Sequence, residues 1–183
     1  MSADGSTLYY WLDSNAGNGL YKFSLASKTH SAVGGGLATN NSRQADEGNG
    51  RALMLGSADS AGAWLAKFVN LSTGALTNVT VSGDTLPSGR GIYDLAWCAD
   101  RGYYVSVWFN SAAMYVAEAP ISAITVATIT PTGADTATAS VKTMMGTGPT
   151  RFRAFRGAFY DPAYGCVIVV THHSDPVKAF KLA

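Results

Sequence analysis

Two short strings concentrate the residue types that do chemistry. His172-His173-Ser174-Asp175 places two imidazoles, a hydroxyl and a carboxylate in four consecutive positions. Imidazole and carboxylate are metal ligands, and Ser, His and Asp are the parts of a nucleophilic triad. On a strand, adjacent side chains point to opposite faces, so His172 and His173 could share one ion only from a loop. No Gly-x-Ser-x-Gly elbow accompanies them, and the plainer reading is an exposed hairpin turn. The second string is Arg151-Phe152-Arg153-Ala154-Phe155-Arg156. On a strand Arg151 and Arg153 share one face, with Phe152 on the other, which suits an anion or carboxylate contact. A solvated face or an inter-subunit ion pair is the plainer reading.

The remaining chemistry is sparse. Ten Asp accompany two Glu, Glu47 and Glu118. Asp13, Asp59, Asp84, Asp100, Asp161 and Asp175 fall at turns, where Asp ordinarily caps its own backbone. A glycosidase needs two carboxylates facing one substrate, and nothing in the spacing selects a pair. Tyr9, Tyr10, Trp11, Trp64, Trp97, Tyr103, Tyr104 and Trp108 are sheet core or, alternatively, sugar-stacking platforms. No residue is assigned to catalysis, to a cofactor or to a metal, and no cofactor is expected. The candidate partner or ligand contacts are Arg151, Arg153, Arg156, His172, His173, Tyr9 and Trp11.

Composition narrows the classes. Charged residues make up 14% of the 183, against roughly 25% in an average soluble protein. The net charge is +1, which argues against a dedicated nucleic-acid binder, since phosphate neutralisation needs a basic face. With 47% hydrophobic residues, disorder is not expected. No apolar run approaches the length of a membrane span. The first residues, Met1-Ser2-Ala3-Asp4-Gly5-Ser6, show no basic and then apolar pattern, so no signal peptide is expected. The sequons at Asn40, Asn70 and Asn78 are then best explained by chance. Cys98 and Cys166 sit in apolar runs and read as buried, reduced thiols, with a single disulfide as the alternative.

Positioning these residues falls to strands. Apolar residues come in runs of four to eight, rich in Val, Ile, Tyr, Phe and Trp, bounded by Gly, Asn, Asp and Pro. Even Ala134 to Ala139, with its Thr alternation, reads as strand or loop rather than helix. Four hairpin-like units recur, at about 8–25, 52–69, 103–117 and 166–182. Their starts are separated by 44, 51 and 63 residues. Returning segments follow three of them, at His30 to Val33, Leu76 to Val81 and Ile124 to Ile129. Two further strands precede the last two hairpins, ending in Asp100-Arg101-Gly102 and Asp161-Pro162-Ala163-Tyr164-Gly165.

A unit of about four antiparallel strands at this period resembles a β-propeller blade. The segment from Gly19 to Thr29, with Leu20-Tyr21-Lys22-Phe23-Ser24-Leu25-Ala26-Ser27, is similar to third strands of many propeller repeats. The Gly-His and Trp-Asp pair of the WD40 type is missing, and Gly34-Gly35-Gly36 does not recur as a kelch double glycine would. The resemblance implies an all-β, single-domain fold of four blade-like repeats over 1–183, with a β-sandwich or partial barrel as the alternative. The first repeat lacks an innermost strand and the fourth an outermost one, an arrangement that invites pairing with neighbours.

The composition also resembles that of virion proteins of tailed bacteriophages. The expectation is therefore a non-catalytic structural protein, such as a capsid decoration, head–tail or tail component, that packs against protein subunits. It would be made in the host cytoplasm and reside in the virion, or else be cytoplasmic or non-classically exported. Neither direct nucleic-acid contact nor a membrane span is expected. The alternatives are a carbohydrate-binding lectin-like module, with glycan as the partner, and a hydrolase on a propeller scaffold.

Overall fold

The computed structural model describes residues 5–12, 19–35, 40–57, 64–87, 92–109, 119–120, 124–143, 149–150, 158–161, 163–169 and 177–182. Those residues hold strands and turns and no helix. Short runs of β-branched and aromatic residues punctuated by Gly and Asp leave no 3.6-residue apolar stripe for a helix to bury.

Sheet 1 is the antiparallel meander β1 (Thr7–Leu12), β2 (Gly19–Ser24) and β3 (Thr29–Gly35). Sheet 2 follows as β4 (Asn40–Asp46), β5 (Arg51–Ser57), β6 (Trp64–Asn70) and β7 (Leu76–Asn78). The chain then crosses to sheet 3. Its strands are β8 (Thr80–Gly83), β9 (Ile92–Cys98) and β10 (Tyr103–Phe109), then, beyond the two-residue β11 (Ala119–Pro120), β12 (Ile124–Pro131) and β13 (Thr136–Thr143). Their order across the sheet is β8-β13-β12-β10-β9. A second short strand, β14 (Pro149–Thr150), pairs with β11. Sheet 4 is β15 (Ala158–Asp161), β16 (Cys166–Val169) and β17 (Lys178–Lys181).

The expected hairpins at 8–25, 52–69 and 166–182 correspond to β1–β2, β5–β6 and β16–β17. At 103–117 the pairing differs. β10 is flanked by β9 and β12, so its partner is the expected returning segment rather than 113–117, which lies outside the described residues. Sheets 1 and 4 have three strands each among the described residues, the first without a counterpart of β4, β9 and β15.

Alternation decides how the sheets stack. Leu20, Ala52, Met54, Val69 and Leu71, with Tyr9 and Val33 against them, form the core between sheets 1 and 2. The opposite face of sheet 2 meets sheet 3 through Leu53, Leu55 and Phe68 against Leu95, Tyr104, Trp108 and Ile129. On β10 the other face carries Val105 and Val107, also buried. Sheet 4 lies against sheet 3 along β9 and β15, with Val167 buried. The four sheets therefore stack in series, with β4, β9 and β15 side by side. A two-layer sandwich would leave one face of each sheet unpaired, which sheets 2 and 3 are not.

One feature breaks the meander pattern. After β7 the chain runs on into β8, which pairs parallel to β13 on the outer edge of sheet 3. Val79 N–H donates to the Ala66 carbonyl of sheet 2, and Thr80 N–H donates to the Asp135 carbonyl of sheet 3, both at 2.9 Å. Asp84 closes the crossing: its N–H donates to Ala139 O at 3.0 Å, and its carboxylate accepts from Val141 N–H at 2.8 Å. Asp84 thus blunts the exposed edge of β13 rather than capping its own turn.

The close approach at Gly83 makes this crossing testable. Gly83 has φ +86°, and a Cβ there would collide with the Ala139 carbonyl oxygen. Gly83→Ala should lower stability by about 2–4 kcal/mol through left-handed strain and loss of the β8 ladder. Urea denaturation reads this directly, and an unchanged midpoint would show that the crossing does not hold sheets 2 and 3 together.

Candidate functional site

The densest polar chemistry among the described residues sits at the end of the stack where β4 turns into β5. Glu47, whose side chain is 2% exposed, is surrounded by donors. The Tyr104 hydroxyl of sheet 3 donates to Oε1 at 2.5 Å. Arg51 Nε reaches both carboxylate oxygens at 2.9 and 3.0 Å, and a terminal guanidinium nitrogen lies 2.8 Å from Oε1. Asn49 Nδ2 donates to Oε2 at 2.9 Å. A buried carboxylate is tolerated only when its lone pairs are filled in this way.

The local sequence builds this arrangement. Gly48 and Gly50 both take positive φ, which lets the Asp46–Arg51 turn close within six residues. Asp46 Oδ1 accepts from Gly48 N–H, Asn49 Oδ1 from Arg51 N–H, and Glu47 N–H donates to Arg51 O. Arg51 then lies over the Phe68 ring, 4.3 Å from its centroid, and donates to Gly133 O of sheet 3 at 3.3 Å. Tyr104 is fixed from the other side by Trp97, with ring centroids 4.6 Å apart. Burial, and next the hydrogen bond to Glu47, push the Tyr104 hydroxyl far above the ordinary phenol range, so it is a fixed donor.

A second contact repeats this logic one sheet further on. Asp100, in the turn between β9 and β10, accepts from the Tyr160 hydroxyl of sheet 4 at 3.0 Å. Arg101 sits beside it, 3.8 Å from the carboxylate and against Gly165 of sheet 4. In both cases an acid of one sheet's first turn accepts from a tyrosine of the next sheet, with an arginine bridging. Sequence reading missed these latches because it assigned Asp100 to local capping and gave Glu47 no role. Asp161 does cap locally, accepting from Ala163 N–H at 2.9 Å. The available signal was the recurrence of an acid and an arginine in successive turns of matching strand units.

Beside Arg51 lies a cleft of about 580 Å³, lined by Asn49, Arg51, Phe68, Asn70, Thr77 and Ala134 among others. Its polar groups are partly committed: Asn70 Oδ1 accepts from Ser72 and Thr73 N–H within its own turn. Among the described residues no group of three or more His, Cys, Asp or Glu is placed to hold a metal ion.

Of the residues singled out from sequence, Tyr9 is half-buried and packs into the core between sheets 1 and 2. Trp11 lies on β1 opposite Leu20. Arg151, Arg153 and Arg156, and His172 and His173, lie outside the described residues. Cys98 and Cys166 are buried and free, not joined as a disulfide.

No protein-family model matches the chain, and no characterised protein matches it by sequence. Among solved structures it is similar to TolB from Acinetobacter baumannii, with a TM-score of 0.57 and 13% identity over 97% of this chain. A GH74 enzyme from Niastella koreensis matches at a TM-score of 0.36 and 11% identity over 98% of this chain. Both are β-propeller proteins. The chain spans 38% of the TolB chain and 41% of the GH74 chain. The likeness to TolB, with the serial stack of antiparallel sheets, defines the class: an all-β fold of propeller-blade-like repeats.

Two measurements test the site. Glu47→Ala strands the buried Tyr104 hydroxyl and should cost about 2–3 kcal/mol in urea denaturation. Most of that comes from the hydroxyl, since Arg51 is 32% exposed and solvent recovers much of its loss. Tyr104→Phe should cost about 1–2 kcal/mol, and the double variant less than the sum. Additive effects would show that the two groups do not interact. Burial, and then the charge of Asp100, push the Cys98 thiol from an ordinary 9.0 to about 12. Its neutral form is favoured in the folded state, so this stability is full below pH 9 and is lost as pH rises toward 12. Iodoacetamide at pH 8 should label Cys98 at least 100-fold more slowly in folded than in urea-unfolded protein, and equal rates would contradict the burial.

Proposed function

We propose that this chain is a non-catalytic interaction protein, a stack of propeller-type sheets that packs against neighbouring protein subunits through its outer sheet faces. One observation carries this reading. Among the described residues the exposed large apolar side chains are Leu8 (41%) on β1, Leu25 (37%) just after β2, Tyr164 (76%) in the β15–β16 turn, Val177 (61%) just before β17 and Leu65 (36%) on β6, so all but Leu65 lie in or beside the two outer sheets. On β1 and β2, Leu8, Tyr10, Tyr21 and Phe23 share the face turned away from sheet 2. Tyr10 and Tyr21 stack there, 5.7 Å between centroids. Contiguous apolar area of this kind on an outer sheet marks a contact surface.

The carboxylates support the same reading. Glu47 is enclosed by its donors, Asp84 holds the edge of β13, and Asp100 links sheets 3 and 4. Glu47 and Asp100 each join neighbouring sheets, and Asp84 fastens the end of β8 to β13 within sheet 3. The narrower version, a virion subunit, rests on composition alone. The carbohydrate-binding alternative would use the cleft beside Arg51, where Asn49 and Thr77 supply polar groups.

An environment-sensitive dye tests the reading below about 1 μM protein, where outer faces are free. The folded protein should bind dye, and Leu8→Lys with Leu25→Lys should reduce the signal by at least half without altering far-UV circular dichroism. Absence of dye binding by the unmodified protein would overturn the proposal.

A further inference from the structure

We propose that the occupant of the outer face of sheet 1 is sheet 4 of a second copy of this chain, joined head to tail; the inference rests on the interaction reading above and names its partner. The chain already contains the interface between sheets 1 and 2 and between sheets 2 and 3, and sheet 4 adjoins sheet 3 along β9 and β15. In the first two, the face of one sheet meets the opposite face of the next, so the stacking is directional. Sheet 2 offers Ala52 and Met54 to sheet 1, and Leu53 and Leu55 to sheet 3. Sheet 1 presents, on the side where sheet 2 presents Ala52 and Met54, the row Leu8, Tyr10, Tyr21 and Phe23, which faces no other sheet among the described residues. That row has the character of an interior blade face, such as Tyr104, Trp108 and Ile129 of sheet 3.

Sheet 4 carries the complementary feature. In the turns of sheets 3 and 4, Cys98 pairs with Tyr103 and Asp161 with Cys166, so the turns have equal length. Both close on a glycine of positive φ, Gly102 at +68° and Gly165 at +60°. Arg101 and Tyr164 are the residues immediately before those glycines. Arg101 uses this position to reach the next sheet, close enough that a Cβ on Gly165 would stand 2.7 Å from its guanidinium. Tyr164, at the same position one sheet later, is 76% exposed. It is placed to reach across to a following sheet, and a second copy's sheet 1 supplies one. A net charge of +1 leaves little repulsion between copies.

The area sets the strength. Three strands about 4.8 Å apart and about 20 Å long give a face of about 300 Å². This is well under the roughly 800 Å² per partner of a stable complex, so association belongs to the weak, concentration-dependent class. A heterologous contact does not stop at two copies unless its rotation closes a ring.

Sedimentation of the unmodified protein from about 1 to 500 μM should show average mass rising beyond the monomer. Leu8→Glu with Leu25→Glu blocks sheet 1, and Tyr164→Glu with Val177→Glu blocks sheet 4. Each blocked protein alone should remain a monomer, and an equimolar mixture should stop at a dimer, because one sound interface remains. If a blocked variant loses its far-UV signal, the Ser substitutions at the same positions replace it. Dimerisation of the sheet 4 variant alone would show like faces meeting and overturn the head-to-tail arrangement. An unmodified protein that stays monomeric while binding dye would assign the faces to a different protein, overturning this inference but not the interaction reading. A monomer that binds no dye would overturn both.

Discussion

Sheet 3 buries both of its faces. Tyr104 and Trp108 on one side and Val105 and Val107 on the other are all 2% exposed or less. Each such side chain contributes about 1.5–3 kcal/mol when removed from water, and no isolated sheet can shelter both sides. A neighbour is therefore required on each face, and the same requirement passes to sheet 2, with Met54 and Leu55 turned in opposite directions. Serial stacking follows from this constraint. The polar features of the molecule answer a second question, how sheets held by a non-directional force keep a fixed register.

The latches answer it at one end of the stack. Hydrophobic burial tolerates sliding, whereas the Tyr104–Glu47 hydrogen bond has a defined length and direction. Placing the acid in the turn between a sheet's first two strands, and the donor on the next sheet, ties sheets 2 and 3 and then sheets 3 and 4. The β7–β8 crossing performs the same task at the outer edges of sheets 2 and 3 with backbone groups. Ser106 shows how the core itself accommodates a polar group: it is fully buried, accepting from Trp108 Nε1 at 2.6 Å and donating to the Ala127 carbonyl.

Much of the fold was legible in the sequence. Period-two alternation and turn residues located β1–β2, β5–β6 and β16–β17, because hairpins are local and their registers are set by short connections. The partner of β10 was not legible, since two apolar runs, 113–117 and 124–129, compete for it and local pattern cannot rank them. The parallel pairing of β8 with β13 joins residues 56 positions apart and leaves no local trace. The site was less legible still. Glu47 and Tyr104 lie 57 residues apart, and only their positions in successive sheets bring them together. Arg151, Arg153, Arg156, His172 and His173, singled out by local chemistry, lie outside the described residues.

The low charge content takes on meaning from this placement. With 14% charged residues, the chain has few to spend, and Glu47, Arg51, Asp84, Asp100 and Arg101 are all engaged at turns and edges. Acids and arginines at turns fix the angle between sheets, and apolar rows on faces supply the attraction. The face of sheet 1 that bears Leu8 and Phe23 carries the attractive part of an interior blade face without a described neighbour. The same division of labour therefore accounts both for the order within the chain and for the character of its outer surfaces.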